Sequence, residues 1–368
     1  MSVRFYDLTI SSVTRETADA ISISFDVPEE LKPTFLYKSG QYLTVRVVVD
    51  GVEHRRNYSL CSSPADNEPM RIAVKLVQMG AVSRWLYENA KAGMHLEVYP
   101  PMGNFTKELD PTHERHYLMF AGGSGITPIL SILKSILRIE PKSVVTLLYA
   151  NRDENSILFD EELRRLSNDH TSRLVVIHIL ESDESGSKAT HIGRMDASTT
   201  QTAIQRAGIA FDNVDAFVCG PSGMMDSVIS TLHEAGLPDL HIHREYFTID
   251  KQSQTSSQPG TMITEQSMPE TDSNTIVTRT VTVRLYGDEH SFEVLPDETI
   301  LSAAQRANLD PPYACQIGAC CTCRAKIVSG KVVMDEREAL SDDEIDEGYA
   351  LTCQSHPLTD NVFADYDQ

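Results

Sequence analysis

Apolar and polar residues alternate with period two at positions 20–25 and 42–49, the signature of half-buried strands. Asp50–Gly51 interrupts the second run as a hairpin turn would. A further strand is predicted at 70–77 and a short helix at 83–90. Residues 91–93 break that pattern before another strand at 95–99. Many short strands separated by Gly and Pro turns predict an antiparallel β-barrel over residues 1–110. The pattern changes over residues 111–250. Apolar strands at 116–121, 144–149, 174–180, 216–219 and 241–245 alternate with amphipathic helices at 128–137, 159–167, 199–207 and 224–235. Such alternation predicts a parallel sheet covered on both faces, with ligands at the carboxyl ends of its strands.

Residues 251–275 are rich in Ser, Thr and Gln and nearly free of large apolar side chains, so they read as a flexible linker. As a random coil it would span about 25–30 Å. Strand patterns return at 280–286 and 291–294, followed by a helix at 299–306 and then a cysteine-rich loop. That order predicts a small α+β domain of the β-grasp type over 276–368. The chain is thus a multidomain protein, as 368 residues already suggest.

Charge narrows the partners. The 53 acidic and 32 basic residues give a formal charge of −21, a surface that repels nucleic acid and anionic membrane. No apolar run approaches the roughly 20 residues of a spanning helix. The first residues lack a signal-peptide core, and seven cysteines without one point to a reducing cytoplasm. Residues 276–368 carry 17 Asp and Glu against 7 Lys and Arg, much of the acid in DEREALSDDEIDE at 335–347. This run reads as a solvated helix and turn, and equally as an acidic docking face for a basic partner.

Cys315, Cys320 and Cys323 stand in C-x4-C-x2-C spacing, and Cys353 follows after 29 intervening residues. This is the plant-type ligand spacing of a [2Fe–2S] cluster. Ala314, Gly318 and Ala319 are small enough for backbone N–H groups to approach the sulfurs. A structural zinc site would show two C-x2-C pairs, and the chain has one. Cys321 fits no cluster pattern and reads as a non-ligand thiol near the cluster.

Further stretches suit nucleotides. Arg56 and Tyr58 fall on one face of a strand that ends at Ser59, a cation and an aromatic that suit a flavin dinucleotide, although an exposed salt-bridging Arg would look the same. Gly80-Ala81-Val82-Ser83 opens a helix, where free backbone N–H groups bind phosphate or where Ser83 is a plain cap. Ala121-Gly122-Gly123-Ser124-Gly125-Ile126-Thr127-Pro128 follows a strand, with Thr127 expected as N-cap and Pro128 at the first helical position. Cys219-Gly220-Pro221-Ser222-Gly223-Met224 forms a second Gly-rich turn, and the two turns together define one cleft, although Cys219 could be a core cysteine. His241 and His243 alternate along a strand and read as ordinary residues rather than metal ligands.

In this order, R-x-Y-S, G-x-x-S, GGSGITP, CGPSGMM and the cysteine loop resemble the ferredoxin–NADP reductase superfamily with a C-terminal ferredoxin domain. RRNYSLCSSP, PPMGNF, YANRDENSILFDEEL, PPYAC and LTCQSHPLTDNVFADYD are similar to the reductase subunits of phenylacetyl-CoA epoxidases, which feed electrons to a di-iron oxygenase subunit. The resemblance implies FAD, a [2Fe–2S] cluster and NADPH or NADH as cofactors. Catalytic positions would be Ser59, Thr127, Cys219 and Glu245. Arg56, Tyr58, Ser59, Lys75, Gly80, Val82 and Ser83 would hold FAD, with Phe247 covering the flavin. Gly123, Ser124, Thr127, Gly220, Pro221 and Met224 would receive the dinucleotide, and Arg152 its adenosine ribose end. Arg152 favours a 2′-phosphate and hence NADPH; Asp153 and Glu154 favour NADH. The acceptor would be a di-iron oxygenase complex; a ring- or steroid-hydroxylating oxygenase is the alternative. Ala81, where a second Gly is frequent, the extra Cys321 and the long linker depart from the family pattern.

Overall fold

A computed structural model describes residues 4–186, 188–206, 213–247, 262–263, 276–337 and 339–368. Six strands, β1 (Tyr6–Thr17), β2 (Ala20–Asp26), β3 (Tyr42–Val49), β4 (Val52–Ser59), β5 (Arg71–Lys75) and β6 (His95–Met102), form one antiparallel sheet in the order β4-β3-β6-β1-β2-β5. A bridge between Leu60 and Ile72 joins the end of β4 to β5, so the sheet curls into a barrel. The Asp-Gly hairpin forms as its residues require, with φ of 52° at Asp50 and 79° at Gly51. Leu8, Ile10, Ile23, Leu43, Val45 and Ile72 fill the interior. Each such side chain contributes about 1.5–3 kcal/mol on burial. Helix α1 (Ala81–Asn89) closes one end of the barrel with Val82 and Leu86. It starts two residues before the predicted position, so Ser83 lies inside its first turn. There the Ser83 hydroxyl accepts a hydrogen bond from the Val77 N–H at 3.2 Å.

The second unit is a six-stranded sheet built from β7 (His116–Gly122), β8 (Val144–Asn151), β9 (Leu174–Leu180), β10 (His191–Ile192), β11 (Val214–Cys219) and β12 (Ile242–Glu245). Its order is β10-β9-β8-β7-β11-β12 and every pairing is parallel. Helices α2 (Ile126–Ile139), α3 (Asp160–Asp169), α4 (Ala197–Arg206) and α5 (Ser222–Glu234) connect the strands. α2 is buried over nearly its whole length, polar residues Ser131, Lys134 and Ser135 included, and lies between the sheet and the barrel. Ser131 Oγ donates to the Ser62 carbonyl at 2.6 Å, and Lys134 and Arg71 converge on Glu162 at 2.9 and 2.7 Å. This network fixes the two units around the cleft described below. α2 begins earlier than the sequence suggests. Gly123–Gly125 form a 3-10 turn that runs straight into it, so Gly125 takes the capping position. Thr127 is the second helical residue, and its hydroxyl donates back to the Ser124 carbonyl at 3.0 Å. Pro128 is tolerated there because first-turn N–H groups have no intrahelical acceptor.

The third unit contains strands β13 (Met262–Ile263), β14 (Arg279–Leu285), β15 (Asp288–Val294), β16 (Arg324–Ser329), β17 (Val332–Met334), β18 (Tyr349–Leu351), β19 (Ser355–Pro357) and β20 (Val362–Asp365), with helices α6 (Ile300–Arg306) and α7 (Asp342–Asp346). The main sheet runs β15-β14-β20-β16-β18, with β14 and β20 parallel at its centre and α6 packed against β15 and β19. Residues 251–275, expected as a linker, lie outside the described residues except Met262–Ile263, which pair antiparallel with Val333 and Val332. Among the described residues no helix is long and apolar enough to cross a membrane.

Candidate electron-transfer site

Ser59 ends β4 and Glu245 ends β12, and the two strand ends meet across the cleft between barrel and parallel sheet. Ser59 Oγ donates to Glu245 Oε2 at 3.2 Å. Cys219 ends β11 in direct register with Glu245. Burial pushes the Glu245 carboxyl up to about 8, the Ser59 hydrogen bond only partly opposing it. Burial also pushes the Cys219 thiol well above its usual value, and the neighbouring Glu245 carboxyl adds to the shift. At neutral pH the cleft therefore holds a protonated carboxyl and a neutral thiol beside a buried hydroxyl. These groups can hold or pass a proton without adding charge to the site.

The two Gly-rich turns abut at the same place. A Cβ on Gly125 would stand 2.3 Å from the Cys219 carbonyl oxygen, and one on Gly220 would stand 2.6 Å from Met224 Cε and 3.0 Å from Gly122 Cα. Pro221 and Met224 close on Gly122 in the same way. Only glycine lets these backbones approach so closely. Gly123 has a φ of 52°, and its carbonyl accepts a hydrogen bond from Tyr149 at 3.1 Å. Phe247, two residues beyond Glu245, is exposed.

Helix starts carry a second signal. Among the described residues, α1, α2, α3 and α5 have no side-chain cap, whereas α6 and α7 have full capping boxes from Thr299 with Ser302 and Ser341 with Glu344. Uncapped first-turn N–H groups are ready-made phosphate sites. At α1 the capping residue is Gly80, with Val82 and Ser83 buried behind it. Arg56 is exposed on β4 and donates to the Arg55 carbonyl at 2.7 Å, while Tyr58 on the same strand packs against the barrel core. Lys75 on β5 and Arg152 just after β8 share one carboxylate, Asp19, at 3.9 and 3.4 Å. Arg152 nonetheless remains 68% exposed. These residues fit a flavin dinucleotide along the barrel and a nicotinamide dinucleotide along the parallel sheet.

The predicted cluster ligands also come together. Cys315 and Cys320 are in side-chain contact, as are Cys323 and Cys353. The Ile317 N–H donates to Cys315 Sγ at 3.5 Å, and the Gln354 amide to Cys353 Sγ at 3.5 Å. Gly318, at φ 76°, offers its backbone N–H to Cys353. Two thiol pairs with N–H donors around them suit a two-iron cluster. Among the described residues no three metal-binding side chains converge on one ion position. Cys321 joins neither pair and points to the barrel instead.

His241 and His243 lie 3.3 and 3.2 Å from Asp215, near the opposite ends of β11 and β12 from Cys219 and Glu245. They hydrogen-bond a fully buried carboxylate that Lys107 and Arg115 neutralise. Sequence reading missed three groupings: the Asp215 cluster, the Arg71–Glu162–Lys134 network, and the contact of Tyr42 with the cysteine loop. Each joins residues far apart in the chain, and an aromatic on the outward face of β3 was the only available hint of the third.

Three family profiles match in series: the oxidoreductase FAD-binding domain over residues 7–107, the oxidoreductase NAD-binding domain over 119–229, and the 2Fe-2S iron-sulfur cluster binding domain over 283–358. The chain is 38% identical to a component of the 1,2-phenylacetyl-CoA epoxidase of Escherichia coli K12, covering 99% of this chain and 98% of that one. It is 39% identical to the ferredoxin reductase component of 3-ketosteroid-9-alpha-monooxygenase of Rhodococcus rhodochrous, covering 96% and 95%. Phthalate dioxygenase reductase has the same fold, with a TM-score of 0.56 and 24% identity over 98% of both chains. With three matching cofactor domains and whole-length relatives of this kind, the chain belongs to the family of NAD(P)H-dependent FAD and [2Fe–2S] reductase components of oxygenases.

Proposed function

We propose that this reductase serves a di-iron oxygenase of the phenylacetyl-CoA epoxidase kind. The observation that carries this is the 38% identity to an epoxidase component over 99% of the chain. A steroid-hydroxylating oxygenase is the second reading, favoured by the 39% identity to the ketosteroid monooxygenase reductase. The domains run over residues 1–110 (FAD), 111–250 (NAD(P)) and 276–368 ([2Fe–2S]), with 251–275 as linker.

When bound, FAD accepts electron pairs as hydride from NAD(P)H and the cluster accepts single electrons. The chain's own part is placement. Arg56, Tyr58, Lys75 and the start of α1 hold the flavin dinucleotide. The Gly123–Ser124 and Gly220–Pro221–Met224 turns with the starts of α2 and α5 hold the nicotinamide dinucleotide. Ser59 fixes Glu245 by donating to Oε2, and the carboxyl keeps its proton at neutral pH; Thr127 and Cys219 form uncharged walls, and Phe247 covers the flavin. Cys315, Cys320, Cys323 and Cys353 hold the cluster. NADPH is the favoured donor, because the exposed Arg152 guanidinium suits a 2′-phosphate. Of the two carboxylates beside it, Glu154 is engaged locally, accepting from Ser185 at 2.7 Å. A strong preference for NADH in steady-state kinetics would overturn this assignment. Thiolate ligands persist in a reducing compartment, which supports the cytoplasm. Reconstitution decides the partner. With the epoxidase oxygenase subunits, phenylacetyl-CoA and NADPH, epoxide should form. Failure there combined with turnover by the ketosteroid oxygenase would establish the second reading.

A further inference from the structure

Leu43, Val45 and Val47 point into the barrel, so their alternates Tyr42, Thr44 and Arg46 face outward. Tyr42 is nevertheless only 5% exposed, because the cluster domain covers it. Its ring packs in one apolar group with Cys320, Cys321 and Cys323. Its hydroxyl accepts the Cys321 N–H at 3.2 Å and lies 3.3 Å from Cys321 Sγ and 3.2 Å from Thr322 Oγ1. Thr44 adds a contact to Thr322 at 3.4 Å. On the other side, Tyr42 stands directly opposite Ser59 in the β3–β4 ladder. Directly opposed residues have Cβ atoms about 4.5–5.5 Å apart. One rung of the sheet therefore separates the hydroxyl that reaches Glu245 from the side chain that grips the loop between Cys320 and Cys323.

We propose that Tyr42 is the positioning residue that docks the cysteine loop against the flavin seat within one chain, and that Cys321 is its docking contact rather than a ligand. The inference rests on the assignment of the two cofactor seats above. NAD(P)H is the reductant, and each transfer across this seam carries one electron, so two transfers use one hydride. Arg55 holds the flank of the seam. It is 2% exposed, pairs with Asp310, donates to the Pro311 carbonyl at 3.2 Å, and lies 4.2 Å over the Tyr313 ring. Tyr42 and Thr44 both reach the loop between the ligands, and Tyr42 is the one of the two that meets Cys321.

The test uses the full chain loaded with FAD and iron, as wild type, Tyr42→Phe, Tyr42→Ala and Cys321→Ser. Iron and flavin content of the wild type are read first; their absence would overturn the seat assignment, and this inference with it. The rate of Cys321 alkylation by iodoacetamide, followed by peptide mass, reports docking independently of turnover. Loss of the hydroxyl's hydrogen bonds should raise that rate about fivefold in Tyr42→Phe, and further in Tyr42→Ala. Anaerobic mixing with NADPH should show unchanged flavin bleaching but cluster bleaching slowed about fivefold in Tyr42→Phe. Cys321→Ser should keep its iron. Unchanged Cys321 alkylation in both Tyr42 variants, or loss of iron in Cys321→Ser, would overturn the proposal.

Discussion

Glu245 owes its protonated state to burial at the end of β12, with one hydrogen bond from Ser59 as partial compensation. An unfolded carboxyl releases its proton near 4.5, and this one near 8. The folded form therefore holds the extra proton between those values. This group's contribution to stability is complete below about 4.5 and is lost as pH rises through about 8. Flavin reduction by NADPH should show a limb near pH 8 from the same proton. Glu245→Gln keeps the shape and removes the titration. Stopped-flow rates across pH should lose that limb and fall about tenfold at pH 7, the value of one hydrogen bond to a chargeable group. A limb that persists in the Gln variant would assign the proton elsewhere. The residues of this cleft were legible in the sequence because Gly-rich turns after apolar strands have few uses. Their mutual contacts were not, since Ser59 and Glu245 lie 186 positions apart.

At the scale of elements, strand patterns reveal the barrel and the parallel sheet, while helix starts mislead. Thr127 looks like a cap because threonine commonly is one, yet the preceding glycines already turn the chain and take that role. α1, α2 and α5 start without side-chain caps, as does α3, and only backbone geometry displays this. Asp215 near the start of β11 shows the converse, a charge placed for stability. Burial alone would raise its pKa, but hydrogen bonds from His243, Lys107 and His241 outweigh burial and hold it well below the usual carboxylate range. Its contribution is present above about 4 and lost as pH falls below that. Asp215→Asn leaves Lys107 and Arg115 facing a neutral amide. Denaturant melts at pH 7 should show a loss of about 3 kcal/mol. A loss below ~1 kcal/mol, the worth of an exposed pair, would contradict the account.

For the whole molecule, three units act as one only because seams join them, and the seams were invisible in the sequence. Tyr42 and Cys321 are 279 positions apart, and nothing local to either announces the contact. The outward acidic face was legible in part. Asp342, Asp343, Asp346 and Glu347 are exposed, but Glu344 turns inward to Arg324, Asn104 and the cap of α7. Reduction of the oxygenase partner should therefore slow with rising salt, and Asp342→Lys with Asp346→Lys should lower its association rate about tenfold without altering flavin reduction. A salt-independent rate would place the docking face elsewhere. The central claim is that one chain holds a nicotinamide cleft, a flavin seat and a two-iron centre in series. Anaerobic titration of the purified, loaded protein with NADPH, followed in the visible, tests it most directly. The account predicts about one FAD and about two irons per chain, bleaching of both chromophores, and loss of the iron signal alone in Cys353→Ser. A wild-type chain in which the flavin bleaches and the cluster does not, or a Cys353→Ser chain with its iron intact, would contradict it.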